Sequence, residues 1–102
     1  MAADLASAST RAAFLLRTVA CDEHVSNRAR LHCLYAAELL DPHTGTPATI
    51  GTHAEAAAVT RDALRLLAAV PAAQFTDEVR TASIHARRAL YELDSARGHI
   101  AG

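Results

Sequence analysis

The sequence contains no lysine and no tryptophan, and it has only two cysteines and four glycines among its 102 residues. Two cysteines, Cys21 and Cys33, are too few for the disulfide framework of a small secreted protein. The glycines form neither of the glycine-rich phosphate-binding patterns, which excludes nucleotide binding by those loops. The apolar runs are far shorter than the roughly 20 residues that cross a bilayer, and the first residues lack the basic start and apolar segment of a secretory signal. We therefore expect a cytoplasmic protein that makes no contact with membranes.

Basic charge is scarce and comes from arginine alone. Ten arginines oppose eleven acidic residues, so the formal net charge is −1 at pH 7. Binding to nucleic acid relies on a basic patch. The overall composition supplies no basic excess, so nucleic acid is not expected as a partner. The absence of lysine together with 25 alanines indicates a GC-rich coding sequence, which is typical of a bacterial source.

The residues that the sequence has in abundance are helix formers. It contains 25 alanines and 12 leucines but only five valines and three isoleucines. Alanine and leucine have high helix propensities, whereas strands favour β-branched and aromatic residues. A chain of this length forms one domain. We therefore predict a single helical domain over residues 1–102, with an all-α fold built as a small antiparallel bundle of three to four helices.

The middle of the chain has clear boundary signals. Two prolines and a glycine close together predict a connecting loop over residues 42–52. Thr52 and Glu55 match a capping box, in which each side chain accepts from the other residue's backbone amide. This motif predicts a helix over residues 53–70, which Pro71 would end.

A last helix is predicted over residues 76–97. Thr76 is a suitable N-cap residue, and the acidic residues that follow it complement the helix dipole. Gly98 suits the position just after a helix end. On the solvated face of this helix, Arg88 is expected to pair with Glu92 one turn away.

Residues 4–40 allow two interpretations. On one continuous helix, the apolar stripe from Leu5 to Val19 and the stripe from Val25 to Leu40 would be rotated by roughly 100° or more. One long helix that buries different sides at its two ends would accommodate this rotation, and so would a break near residues 21–26. Neither proline nor glycine occurs before Asp41. We therefore predict the long helix and keep the break as the alternative.

The histidines do not form a metal-binding pattern, although six of them is a high number for this length. Two ligands on one helix must lie three or four positions apart to share a face, and no histidine pair has that spacing. Cys21 and His24 are one turn apart, but two ligands do not define a site. We predict no metal, no cofactor and no catalytic residues. His32 lies near the apolar side of its helix, where it is either a core-edge residue or part of a ligand site.

Several large apolar residues lie off the predicted core stripes. Single exposed apolar residues carry no information, but second apolar stripes on several helices are typical of an interface. The alternative is that a four-helix bundle buries two sides of some helices. The candidate interface residues are Phe14, Leu31, Leu34, Tyr35, Ile84 and Tyr91.

Three functions follow as hypotheses. The first is a small non-enzymatic helical protein that mediates protein–protein interaction or self-association as a homodimer, and a regulatory role is compatible with it. The second is a small-ligand-binding protein or enzyme with a site near His32, Tyr35 and the 42–52 loop. The third is a DNA-binding helical protein. The interaction protein predicts exposed apolar stripes. The ligand-binding protein predicts a pocket with convergent polar groups and a histidine of perturbed pKa. The DNA-binding protein predicts arginines gathered on one face.

Overall fold

The computed structural model describes the backbone of residues 4–43 and 53–101 and the side chains of residues 4–43 and 54–95. Within these ranges the chain forms four α-helices and no strand, which confirms the predicted all-α bundle. The helices are α1 (Leu5–Ala20), α2 (Asn27–Leu40), α3 (His53–Ala68) and α4 (Asp77–Ala101), with a short 3₁₀ turn at Ala72–Gln74 between α3 and α4. None of these helices is both long and apolar enough to cross a membrane.

Three helices begin at a side-chain cap. Asp4 accepts the amide of Ser7 at the start of α1, and Ser26 accepts the amide of Ala29 at the start of α2. Thr76 accepts the amide of Val79 at the start of α4, as predicted. Each cap satisfies a backbone donor that has no partner inside its helix. Thr52 and the capping box proposed for it lie outside the described residues.

The prediction of one long helix over residues 4–40 is wrong, because the helix breaks at residues 21–26. The break is made by hydrogen bonds and needs neither proline nor glycine. Asp22 Oδ1 accepts the backbone amide of His24 at 2.9 Å, and Ser26 caps the new helix. Short polar side chains of this kind offer the backbone an alternative to helical hydrogen bonds. The break allows α1 and α2 each to turn an apolar stripe toward the same core.

The predicted ends of the last two helices need small corrections. Helix α3 ends at Ala68 rather than at residue 70, because Val70 donates to the carbonyl of Leu67 in a tighter turn before Pro71. Helix α4 continues through Gly98 to Ala101. Gly98 does not adopt the positive φ of a C-terminal cap. Glycine within a helix costs about 1 kcal/mol relative to alanine, which is too little to stop a helix that no proline interrupts.

The helices lie around the bundle in the order α1, α2, α4, α3, with extensive contacts between neighbours. Cross-helix contacts show that α1 and α2 are antiparallel, since Thr10 reaches Asp41 and Arg17 reaches Glu38. Helix α4 is antiparallel to both α2 and α3, as the pairs formed by Glu92 with α2 and by Asp94 with α3 show. It follows that α2 and α3 are diagonal and parallel.

The core is built mainly from alanine. Small residues let helices approach closely, and only Leu16, Leu67 and Leu93 are large aliphatic side chains that are almost fully buried. The buried hydroxyl of Thr60 donates to the carbonyl of Ala56 within its own helix, so it satisfies its hydrogen-bonding need locally. The buried apolar residues of α2 and α4 that face this core are Ala29, Cys33, Ala36, Ala37, Val79, Ala82, Ala86, Ala89 and Leu93, and Val25 joins them from the segment before α2.

Candidate functional site

The outer surface of α2 and α4, here called the α2–α4 face, carries the exposed large apolar side chains of the described part of the chain. Their exposed fractions are 55% for Leu31, 40% for Leu34, 60% for Tyr35, 47% for Ile84 and 71% for Tyr91. Five of the six candidate interface residues therefore lie on the surface of one helix pair.

Phe14, the sixth candidate, is only partly exposed. It belongs to α1, which packs against α2 and α3, and so it lies outside the α2–α4 face. The other five lie on α2 and α4, which are neighbours in the bundle, a relationship that helical spacing alone does not reveal. Whether any of the six contacts a partner stays a prediction.

Helical periodicity explains why these side chains point outward. Leu31, Leu34 and Tyr35 are spaced as i, i+3 and i+4, so they share one side of α2. Ile84 and Tyr91 are two turns apart on α4. In each helix the opposite side is occupied by the small core residues, so burying those residues leaves the second apolar stripe on the surface.

A polar seam runs between the two helices and divides the apolar stripes. Near one end, Arg28 of α2 lies 3.7 Å from the carboxylate of Glu92 of α4. Further along, His32 Nδ1 lies 3.0 Å from His85 Nδ1. The ring of Tyr35 stacks on the ring of His85, with centroids 5.6 Å apart and an interplanar angle of 27°. The seam therefore joins α2 to α4 through a specific set of paired side chains.

The hydrogen bond between the two histidines requires one shared proton. A neutral imidazole carries a proton on one ring nitrogen and accepts at the other. One Nδ1 must therefore donate and the other must accept, and two fully protonated rings would bring two N–H groups face to face. The pair is consequently stable when neutral or singly charged and is disrupted when both rings are charged.

The environment of His32 disfavours its charged form. Burial lowers the pKa of His32 below its ordinary value of 6.5, and the nearby His85, Arg88 and Arg28 lower it further, while Glu92 acts in the opposite direction. Sequence reasoning placed His32 at the core edge but could not identify His85 as its partner, because the two are 53 positions apart. The sequence does contain one feature that the two histidines share. His32 directly precedes the buried residue Cys33, and His85 directly precedes the buried residue Ala86, so each histidine lies beside the core stripe of its helix.

A groove opens beside this seam on the α4 side. Its volume is about 530 Å³, and it is lined by Arg28, His32, Ile84, Arg87, Arg88, Tyr91 and Glu92. Three guanidinium groups and one carboxylate give the lining a formal charge of +2, although the whole chain carries −1. The structure therefore places His32, the candidate ligand residue, in a concave and positively charged site. Tyr35 does not line this groove, and residues 44–52 of the predicted ligand loop lie outside the described residues.

Two arginines of the groove are available for a ligand. The expected pair between Arg88 and Glu92 does not form, because Glu92 faces Arg28 across the helix interface. Neither Arg87 nor Arg88 makes a hydrogen bond or an ion pair with another described residue. By contrast, the arginines at positions 17, 61, 65 and 80 each lie within 3.6 Å of an acidic side chain.

The cysteines and the remaining histidines do not build a second site in the described ranges. Cys21 is exposed and Cys33 is buried. Burial raises the pKa of the Cys33 thiol to about 12, which is far from the value a nucleophile needs at neutral pH. No group of three or more histidine, cysteine or acidic side chains converges as a metal would require, as far as the structure describes the chain.

Stability is expected to fall as the pH is lowered from 7.5 to 5.5. The pKa of His32 is lower in the folded state than in the unfolded chain. The unfolded chain therefore takes up the proton first as the pH falls through about 6.5, and this favours unfolding. The loss of stability begins near the pKa of histidine in the unfolded chain and is complete below the pKa of His32 in the folded protein. Urea unfolding at the two pH values should give a smaller free energy of unfolding at pH 5.5.

The control for this experiment removes one histidine at a time. His32→Gln should reduce the difference between the two pH values, because the group that titrates differently in the two states is gone. His24→Gln removes an exposed histidine from the loop between α1 and α2 and should keep the wild-type difference. If His32→Gln keeps it too, the pH dependence does not arise from the histidine pair.

The structure contains features expected from two of the three functional hypotheses on the same face. Exposed apolar stripes were the mark of a protein-binding surface, and a groove with a perturbed histidine was the mark of a ligand site. Arginines gathered on one face were the mark of DNA binding, but they are distributed over all four helices. No protein-family model matches the chain, and no curated protein or solved structure shows significant similarity to it.

Proposed function

We propose that this protein is a non-enzymatic helical interaction module whose α2–α4 face binds a second copy of the chain. The observation that carries the proposal is the concentration of five exposed large apolar side chains on one helix pair. Single exposed apolar residues are normal, whereas several of them on two neighbouring helices, with polar residues beside them, are typical of an interface.

The exposed area is in the range that a dimer interface needs. A fully exposed residue of these types presents on the order of 200 Å², so the exposed fractions of the five residues amount to about 500 Å². This area is divided between the stripe of α2 and the stripe of α4, which lie on either side of the polar seam. The arginines at its margin bring the surface close to the roughly 800 Å² per partner of a standard interface.

The arrangement of the face suits a copy of itself. A twofold dimer places the same surface on both sides of the interface. The apolar stripe of α2 in one protomer would pack against the stripe of α4 in its partner, and two thin bundles would then share one thicker core. The seam contains both signs of charge, since Arg28 and Glu92 lie side by side. Opposite charges of the two protomers can therefore pair across the twofold axis.

The dimer is expected to dissociate when a charge is placed in the apolar stripe of α2. Leu34 is 40% exposed, so the dimer gains only part of the roughly 1.5–3 kcal/mol of a fully buried leucine. A glutamate at this position adds the cost of burying an unpaired carboxylate, and a symmetric dimer has both losses twice. Leu34→Glu should therefore raise the dissociation constant at least about a hundredfold. Light scattering over a hundredfold dilution measures this, and the wild-type protein should give twice the chain mass at the highest concentration.

A matched control places the same charge elsewhere. Ala58 is exposed on α3, which is diagonal to α2, so Ala58→Glu should leave the dimer intact. Circular dichroism of all three proteins checks that they are folded, which is expected because both replaced side chains are exposed. A wild-type protein that has the mass of one chain at every concentration would contradict the homodimer.

A second function is favoured by the groove beside His32. Ligand sites are concave, combine apolar walls with a few convergent polar groups, and often perturb a histidine. The groove has these three properties. We propose small-ligand binding there as the alternative function of the same face.

A further inference from the structure

We propose that the groove lined by Arg28, Arg88, Ile84 and Tyr91 binds a small organic carboxylate with an apolar body. This inference rests on the small-ligand function proposed above and names the chemical class of its ligand. The carboxylate would lie against the guanidinium groups of α4, and the apolar body would cover Ile84 and Tyr91.

The charge of the groove selects an anion. Its lining carries a formal charge of +2 in a chain whose net charge is −1, so the positive charge is concentrated locally. The pKa of His32 is lowered mainly by burial and by His85, and the groove arginines Arg88 and Arg28 lower it further against the opposing effect of Glu92. A ligand anion would experience the opposite effect and be attracted.

The pairing of the arginines shows where the anion would bind. Arg28 already faces the carboxylate of Glu92 at 3.7 Å, whereas Arg87 and Arg88 have no acidic partner among the described residues. A guanidinium group presents a planar fork of donors that matches a carboxylate. A ligand carboxylate would pair with these two arginines, as the carboxylate of Glu92 pairs with Arg28.

The other wall of the groove demands an apolar body. Ile84 and Tyr91 are 47% and 71% exposed and both line the groove. Covering apolar surface of this kind is favourable, and the volume of about 530 Å³ is in the range of small-molecule sites. A single aromatic ring or a branched chain on the carboxylate would make these contacts.

The apolar wall favours an organic carboxylate over inorganic phosphate. The arginines of the lining attract both anions, and the carboxylate of Glu92 only reduces this attraction. Inorganic phosphate has no apolar body with which to cover Ile84 and Tyr91, so it loses the contacts that the second wall offers. The lining therefore points to an anion with apolar character.

Three probes test the ligand class. A nitrogen–proton NMR titration with 3-phenylpropanoate at pH 7.5 should give saturable shifts confined to the residues around the groove. The uncharged 3-phenylpropanol and inorganic phosphate should each bind at least tenfold more weakly. Comparable binding of the alcohol would overturn the role of the carboxylate while leaving a small-ligand groove. Tighter binding of phosphate, or no saturable shift with 3-phenylpropanoate, would overturn the proposed class.

Variants locate the site and separate it from self-association. Arg88→Gln should weaken binding of 3-phenylpropanoate at least tenfold. Arg80→Gln, on the same helix but paired with Asp77 and outside the groove, should not change it. Unchanged binding by Arg88→Gln would overturn the site. Leu34 does not line the groove, so Leu34→Glu should bind the probe at least as tightly as the wild-type protein, because loss of the proposed dimer leaves Ile84 and Tyr91 uncovered. Loss of binding in this variant alone would show that the site requires the dimer and would overturn its assignment to the single chain.

Discussion

Leu67→Ala is expected to lower the free energy of unfolding by about 2–5 kcal/mol, the usual range for removing a buried leucine. Leu67 is 1% exposed and is one of the few large side chains in the core. The buried residues of the core are mostly alanines, which have no side-chain rotamers with which to fill a cavity. The loss should therefore lie in the upper part of this range. Urea unfolding at a fixed protein concentration measures it, since dimer formation makes stability depend on concentration.

The adjacent position provides the comparison. Leu66 lies on the same helix and is only partly buried, so Leu66→Ala should cost clearly less because water already reaches this side chain. The two substitutions remove the same atoms and have the same effect on helix propensity. Equal losses would contradict the position of α3 in the bundle, since they would place both leucines at the same depth.

The two cysteines are expected to react with a thiol reagent at rates that differ by at least about a thousandfold. Cys21 is exposed and Cys33 is buried. Burial raises the pKa of Cys33 to about 12, although a hydrogen bond with Thr60 acts in the opposite direction. At pH 8 only about one in ten thousand Cys33 groups would be thiolate, and the thiolate is the species that reacts. Native protein should therefore show one fast thiol per chain.

Single-cysteine variants assign the fast reaction. Cys21→Ser should abolish it, and Cys33→Ala should leave its rate unchanged. In denaturant, the wild-type protein should show two thiols with similar rates, because unfolding removes the burial that distinguishes them. Two fast thiols in the native protein would show that α2 does not turn Cys33 toward the core.

The proposed dimer and the proposed anion site share one surface, so their effects on each other can be measured. The positive groove adds like charge to both sides of a twofold interface, which opposes association. A bound carboxylate would reduce this repulsion if the interface leaves room for it and would compete with the partner if it does not. Light scattering with and without 3-phenylpropanoate distinguishes these two cases.

Much of the fold could be predicted because it depends on neighbours in sequence. Composition predicted helices, and the spacing of apolar residues predicted their buried sides. Thr76 caps α4 as expected, because a cap needs only a side chain and an amide three residues away. Exposure of Leu31 and Tyr91 also followed from spacing, since a residue opposite a core stripe points outward.

Other features were decided by contacts between distant residues. The break after α1 depends on whether the turn stabilised by Asp22 is lower in free energy than a continued helix. The turn is favoured because it lets the apolar stripes of both α1 and α2 pack into one core. The choice of Arg28 over Arg88 as the partner of Glu92 depends on the register of α2 against α4. Helical spacing within one chain segment contains no information about that register.

The sequence by itself therefore determined the helical class of the fold and the apolar and polar sides of each helix, because these arise from interactions over three or four positions. Only the tertiary structure decided that α2 and α4 are neighbours, that His32 meets His85, and that three arginines surround one groove. These outcomes depend on the order in which the helices pack around the core. That order is set by the fit of the buried side chains.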